Sequence, residues 1–335
     1  MKFVNVVENK IIPNTGELLT DKLQELIETL SEETTIIFPK GEYLLATIFI
    51  HSNLHFVFEK GCKILGSKDF YDFALSEKLD YPTYQDASHS YFNPSLFVGR
   101  EVENVSFEGP GIIDMQSIWD EDNIRDIVHR GAKAIAIREG KNLRFENFEI
   151  YNATDLALYF AGCENVVVRG LKMRVYIDGI SPDNSKNVLI ENCDVEAGDD
   201  AIVFKSSYTL NKLGICENIE VRNCNLKSRC NAIKFGTETN GGFKNFNINN
   251  IKIRETRITG IAIESVDGAI IDGINISNVE MTNVGSPLFI HLGKRLRGPE
   301  GTQIGEIKNI NLENITAKGP YEPYEIIEWN YVSFV

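Results

Sequence analysis

The chain has 335 residues, 43% hydrophobic and 24% charged, a composition that describes a soluble globular protein with room for a large core. A net charge of −14 argues against non-specific binding to nucleic acid or to an anionic membrane, although local basic residues can still receive an anionic ligand. No apolar run approaches the roughly 20 residues of a membrane span, and Met1–Lys10 lack the features of a secretory signal; a cytoplasmic location is expected, or secretion if a leader has been lost.

In chain order, Leu18–Leu30 carries Leu19, Leu23, Leu26, Ile27 and Leu30 at helical spacing. This predicts an amphipathic helix with Thr20 or Asp21 as N-cap, lying within an N-terminal cap over about residues 15–35. Thr35–Phe38 reads as a strand, and Pro39-Lys40-Gly41 as the turn after it. Tyr71–Tyr91 has no period and is rich in Tyr, Asp and Ser; it reads as a long loop, and loops of that length often carry function.

A repeat runs through the rest. Glu103-Asn104-Val105-Ser106-Phe107, Lys141-Asn142-Leu143-Arg144-Phe145, Glu164-Asn165-Val166-Val167-Val168 and Lys186-Asn187-Val188-Leu189-Ile190 share one pattern. It recurs at Glu217-Asn218, Lys244-Asn245, Asp272-Gly273 and Lys308-Asn309: a charged residue, a turn residue that is nearly always Asn, then a short alternating strand. From Asn142 the period is roughly 22 to 36 residues, the range of a solenoid. A leucine-rich repeat would show a Leu lattice with one strand per repeat; here Ile, Val and Phe dominate and several strands fit each coil. Each unit must stack on its neighbours to bury its apolar face. Asn suits a fixed bend because it tolerates the left-handed conformation, and stacked Asn side chains are expected to form a ladder. The expected fold is all-β, a right-handed parallel β-helix in one domain with coils over about residues 36–335; the handedness is a fold-level expectation. Cys62, Cys163, Cys193, Cys216, Cys224 and Cys230 form no Cys-x-x-Cys pair, so they read as reduced thiols in the interior rather than a zinc site. The aromatic stretch from Tyr321 to Val335 shows no cap; the expectation is that the chain ends early or is sealed by a partner.

Three carboxylates stand out. Asp178 lies 21 residues before Asp199, about one coil, and Asp200 follows directly. Stacked, they share one wall. Clustered carboxyls cannot all ionise cheaply, so at least one keeps its proton, which sets an acid beside a base.

Phe38-Pro39-x-Gly41-x-Tyr43 with Phe58–Ser67, Asp178-Gly179-Ile180-x-Pro182-Asp183, and Gly198-Asp199-Asp200-Ala201-Ile202-x-x-Lys205-Ser206 together resemble glycoside hydrolase family 28, the polygalacturonase family. The likeness covers most of the chain. It implies that Asp199 is the general acid, and that Asp178 and Asp200 hold and deprotonate the attacking water. It also implies inversion, for which carboxyl groups about 6.5–9.5 Å apart are usual. Some family elements are replaced. Tyr176-Ile177 stands for Asn-Thr before Asp178, Cys230-Asn231-Ala232 for Gly-His-Gly, and Ala262-Ile263-Glu264 for the Arg-Ile-Lys that grips a uronate. Lys205, Arg229, Lys234 and Arg295 remain as possible anion contacts. Alternatively Glu238 and Glu264 bind hydroxyls of a neutral sugar. Asn231 and His291 complete the expected substrate contacts, while His51, His55, His89 and His129 read as structural or surface. Trp119 and Tyr159 are candidates for stacking on sugar, with packing the plainer reading. Asp183 reads as a turn-former or a supporting acceptor.

The leading reading is an inverting, exo-acting glycosidase on pectin-derived oligosaccharides, galacturonate- or rhamnogalacturonan-type, needing no cofactor and no metal. The expected partner is the oligosaccharide, with no nucleic acid and no membrane; the oligomeric state is left open. Two alternatives stay open: a polysaccharide lyase or epimerase, which would use a base on C5 and often Ca²⁺, and a non-catalytic glycan-binding β-helix.

Overall fold

The computed structural model describes residues 2–117 and 131–321; Trp119, His129 and the stretch 322–335 lie outside the described residues. Strands stack in parallel along the whole described chain, from Lys2–Asn5 to Glu306–Pro320. They form three walls. The first is built from Thr34–Phe38, Leu54–Phe58, Glu103–Glu108, Lys141–Glu146, Glu164–Arg169 and Lys186–Glu191, and continues in the openings of the longer strands that follow. The second runs through Lys172–Val175 and Asp194–Ala197. The third holds Ser95–Arg100, Lys133–Arg138, Leu158–Ala161, Ile180–Asp183, Ile202–Ser206 and Asn231–Thr239. The expected stack of coils is therefore present.

Alternation along each strand puts one set of side chains into a continuous apolar interior. Because the register is parallel and unshifted over most coils, like residues lie over like. Phe56, Phe107 and Phe145 lie in register and stack with ring centroids 4.7 and 5.8 Å apart, and Phe160 of the third wall adds a ring 6.3 Å from Phe145. All six cysteines are free; Cys193 and Cys224 lie in adjacent coils with their thiols hydrogen-bonded.

The asparagine bend accounts for the register. Asn104, Asn142, Asn165, Asn187, Asn218 and Asn245 all have φ between 54° and 58°. Each side-chain amide donates to the asparagine of the coil before it, at 2.9–3.2 Å, in an unbroken run back to Asn53. Asn309 continues the line by donating to Asp272 at 2.7 Å. An asparagine meets two demands at once: the left-handed backbone costs it little, and its amide has a donor and an acceptor facing opposite ways along the stack.

The N-terminal helix spans Thr20–Glu28 and buries Leu23 and Ile27. It packs on Ile48–Ile50, and Gln24 bonds the backbone of Phe49 through both its amide groups. Its N-cap differs from expectation: Leu19 holds that position without a side-chain bond, and the Thr20 hydroxyl instead accepts from the Ala46 N–H at 2.7 Å. The side chain is worth more as a tie to the first coil than as a cap. The aperiodic stretch after Gly66 is indeed largely loop, with a 3-10 turn at Phe70–Asp72 and one helical turn at Ala87–Ser90.

Asn165→Ala should lower the unfolding free energy by about 1–3 kcal/mol, combining left-handed strain with two lost amide bonds. Asn165→Gly should recover the strain but not the bonds. Urea denaturation of the three proteins checks this. Equal loss in both variants removes backbone strain from the explanation, and no loss in either removes the ladder.

Candidate active site

The three acids meet at the turn from the second wall to the third. Asp178 precedes the strand Ile180–Asp183; Asp199 and Asp200 sit between Asp194–Ala197 and Ile202–Ser206, one coil on. Two glycines let these turns close on one another. A β-carbon at Gly198 would lie 2.1 Å from the Tyr176 carbonyl oxygen, and one at Gly179 would lie 2.6 Å from that of Ala201. Only glycine fits either place. With the turns in contact, the Asp200 N–H donates to Asp178 Oδ1 at 3.1 Å, and Gly179 N–H to the Asp200 carbonyl at 3.0 Å. One oxygen from each of Asp178, Asp199 and Asp200 then lies within 4.8 Å of the others. The roughly 6.5–9.5 Å usual for inversion is a separation of carboxyl groups, whereas this is the approach of their nearest oxygens. Neighbouring coils lie about 4.8 Å apart, which brings Asp178 up to the Asp199–Asp200 turn.

The environment differentiates the three. Burial, then the neighbouring Asp199 and Asp200, push Asp178 well above the usual carboxylate range. Burial and then Asp200 raise Asp199 to about 6. Asp199 is also the least buried of the set. Asp200 is an acceptor on every side. It receives the Asn231 N–H at 3.2 Å and the Asn231 amide at 2.7 Å on Oδ1, while the Lys234 ammonium lies 3.2 Å from Oδ2. The Lys234 cation and both Asn231 donors are thus gathered on Asp200.

A buried ion pair forms the floor. Lys205 Nζ lies 2.6 Å from Glu238 Oε2, both inaccessible to solvent. Burial by itself would lower Lys205, but Glu238 and then Asp178 and Asp200 outweigh it, and the ammonium's pKa stands above its ordinary value. Burial would likewise raise Glu238, yet Lys205 holds it well below the usual range. Asp183 accepts from the Ser207 N–H at 2.9 Å and from its hydroxyl, so it supports the third wall, as expected.

One member had been assigned elsewhere on sequence grounds. His89, read as structural or surface, is 97% buried by its 3% exposure, and Nε2 lies 3.8 Å from Asp178 Oδ2. It arrives on the helical turn Ala87–Ser90. The Tyr159 hydroxyl (2.9 Å) and that of Thr209 (2.5 Å) both donate to its carbonyl. Tyr159 is thus a packing residue. Burial and then the Lys205 ammonium lower His89 to about 4, so the ring is neutral near pH 7. No repeat position marked this residue; the only signal was the aperiodic loop that bears it.

These groups line a cavity of about 290 Å³ bounded by Asp86, His89, Tyr176, Asp199, Lys234 and Glu238, among others. The structure places the other expected contacts outside that lining. Glu264 follows on the third wall, its carboxyl raised by burial, and pairs in register with His291, which is exposed. Arg295 stands behind Glu238, 3.8 Å from it, and is tied to Asp267 at 2.9 Å and to the Thr237 carbonyl at 2.7 Å. Arg229 is exposed and lines a second, larger groove of about 970 Å³ that shares Tyr176 and Gly198 with the first. Sequence position could not separate these cases, because a side chain's wall and the partner that claims it depend on the stacking.

Residues 35–323 match the family model described as glycosyl hydrolases family 28. A probable polygalacturonase of Vitis vinifera is 23% identical over 240 residues, 67% of this chain and 48% of that protein, so the chain spans about half the length of that relative. Among solved structures, a family 28 exopolygalacturonase of Yersinia enterocolitica superposes with a TM-score of 0.80 at 18% identity, covering 96% of this chain and 66% of the other. A hyperthermoactive exopolygalacturonase of Thermotoga maritima gives 0.79 at 20% identity, covering 95% and 81%. The fold is accordingly the right-handed parallel β-helix. With the family model spanning nearly the whole chain, this chain belongs to glycosyl hydrolases family 28.

Proposed function

We propose that this chain is an inverting, exo-acting glycoside hydrolase on pectin-derived oligosaccharides. The observation that carries the hydrolase reading is the differentiated acid cluster: Asp178, Asp199 and Asp200 around one point, with the cation and the amides all gathered on Asp200. Asp199, protonated below about pH 6, donates its proton to the glycosidic oxygen. A water held by Asp178 and Asp200 attacks the anomeric carbon from the opposite face, and Asp200 takes the proton the water loses. The bond to the leaving oxygen breaks, a carbon–oxygen bond to water forms, and both acids are reset from solvent. Asp178, well above the usual range, orients the water without competing for its proton. Because the oxygens are close, the water sits against the Asp178–Asp200 pair rather than in a wide gap. His89 stands neutral behind Asp178 as a positioning residue.

The exo reading is supported by the presence in the lining of Asp86, Ser88 and His89, which the chain brings in on a separate helical turn. The cavity is small beside the ~300–1,000 Å³ of ordinary ligand sites, which suits one terminal ring.

Asp199→Asn and Asp200→Asn should each lower kcat by roughly 10³-fold or more while leaving KM within a few-fold. NMR of the first-formed sugar should show the inverted anomer. Retention overturns the mechanism; an unsaturated product whose absorbance is lost with chelator selects the lyase reading.

The pH behaviour has a definite sign. An acid raised to about 6 keeps its proton in the folded state at pH values where the unfolded chain, near 3.9, has lost it. The stabilisation is complete at low pH and is lost as pH rises through 6. Asp199→Asn should therefore gain stability relative to the parent as pH rises from about 4 to about 6 and hold that gain above it. The parent's kcat/KM should fall as pH rises through about 6. Thermal melts and rate profiles of both proteins check this; a parent rate that climbs through pH 6–8 removes Asp199 from the acid role.

A further inference from the structure

Cations near the cavity were expected to meet an acidic sugar. In the structure three of the four, Lys205, Lys234 and Arg295, already have a buried acid. Lys205 faces Glu238 at 2.6 Å, Lys234 faces Asp200 at 3.2 Å, and Arg295 is held by Asp267 at 2.9 Å with Glu238 behind it. Five carboxyls line the cavity itself, from Asp86, Asp178, Asp199, Asp200 and Glu238; even with Asp178 and Asp199 holding their protons, three remain against the two ammonium groups of Lys205 and Lys234. His89 adds no charge near neutral pH. Next along the third wall, Ala262 lies in register with Lys234 and Glu264 follows, so the next coil adds an acid and no base. A uronate entering here must either sit among surplus acids or draw a cation off a buried partner, which strands that partner's charge. An uncharged ring meets neither cost, and carboxylates such as Glu238 and Asp199 are good acceptors for its hydroxyls.

The neighbouring groove is different. It shares Tyr176 and Gly198 with the catalytic cavity, so the two adjoin at those residues. Within it, Lys227 is claimed by Glu196 at 3.1 Å and Glu255 at 2.8 Å. Arg229 also lines it, exposed, and makes no ion pair among the described residues. A guanidinium in that state suits the bidentate capture of a carboxylate.

We infer that the sugar cleaved at the acid cluster is uncharged, a hexose or 6-deoxyhexose, and that recognition of an acidic sugar has moved next door, onto Arg229. The substrate class is then an oligosaccharide with a neutral ring at the cleaved end and a uronate beside it. This rests on the hydrolase reading above and narrows it.

The test uses alternating oligosaccharides prepared with either end. One carries a neutral ring at the non-reducing terminus with galacturonate next; the other carries terminal galacturonate with the neutral ring next. A third is a homogalacturonate of equal length. The first should exceed both others in kcat/KM by roughly 100-fold or more, the scale of breaking a buried pair. Arg229→Gln should raise KM for the first substrate about tenfold with kcat little changed, and should flatten the dependence of KM on salt. Comparable rates for the terminal uronate, or an Arg229→Gln variant with unaltered KM, overturn the inference. Calorimetric binding of the same sugars to Asp199→Asn separates it from the hydrolase reading. No turnover of any substrate by the parent protein overturns the hydrolase reading, while a binding preference for the neutral-ended sugar still upholds the charge assignment; a preference for the uronate-ended sugar overturns that as well.

Discussion

Every distance at the acid cluster follows from the pitch of the coils. Parallel strands lie about 4.8 Å apart, and residues at the same turn of successive coils inherit that spacing. The chain needs no long-range coincidence to bring Asp178 to Asp199 and Asp200. It needs a coil of the right length and two turns that can touch. The glycines at 179 and 198 permit the contact, since any side chain there would strike a carbonyl of the adjoining turn. The asparagine ladder on the first wall keeps the coils from slipping, because a shift of one residue would break each amide bond and turn the core outward.

Such a cluster is costly to fold, and the structure shows where compensation comes from. Two ammonium groups stand in the third wall. Lys234 offsets Asp200, whereas Lys205 is divided between Glu238 and the fields of Asp178 and Asp200. What is left uncompensated appears as the raised pKa of Asp178 and Asp199, which hold their protons more tightly than a free carboxyl does. Function sites commonly keep strain of this kind, and the long cooperative core can carry it. On the proposed mechanism the chemistry and the destabilisation are one property, since the proton that Asp199 retains is the proton it would give away.

How much of this could be read from the residues depends on how local each signal is. The stack, the ladder and the acid triad repeat at coil spacing, so pattern reveals them; Asn104 through Asn245 and Asp178 with Asp199-Asp200 were all visible in that way. Asn231, Lys234 and Glu238 were legible as neighbours because they occupy the same turn one coil later. His89 was not, since it reaches the site from an excursion of the chain that obeys no period. Arg295 and Lys205 illustrate a different limit. Their charge and approximate location were plain, but an ion pair depends on which acid lies within 3 Å, and spacing along the chain does not contain that. The expected cap at Thr20 or Asp21 failed for the same reason: a tertiary bond from Ala46 claimed the Thr20 hydroxyl, and Leu19 holds the cap position.

The arrangement of cations also bears on how a family scaffold changes its substrate. A wall of parallel strands offers each outward position a neighbour above and below, so a charge replaced in one coil alters the balance in the next. Where the family resemblance expects a cationic clamp, this chain has Ala262 and Glu264, and the nearest ammonium, on Lys234, lies one coil back. There it cannot serve both a substrate carboxylate and the acid that faces it. On the proposed mechanism a cation so placed supports the base rather than the substrate, and the inferred place for an anionic group is the exposed guanidinium of Arg229 in the next groove, where no buried pair is disturbed.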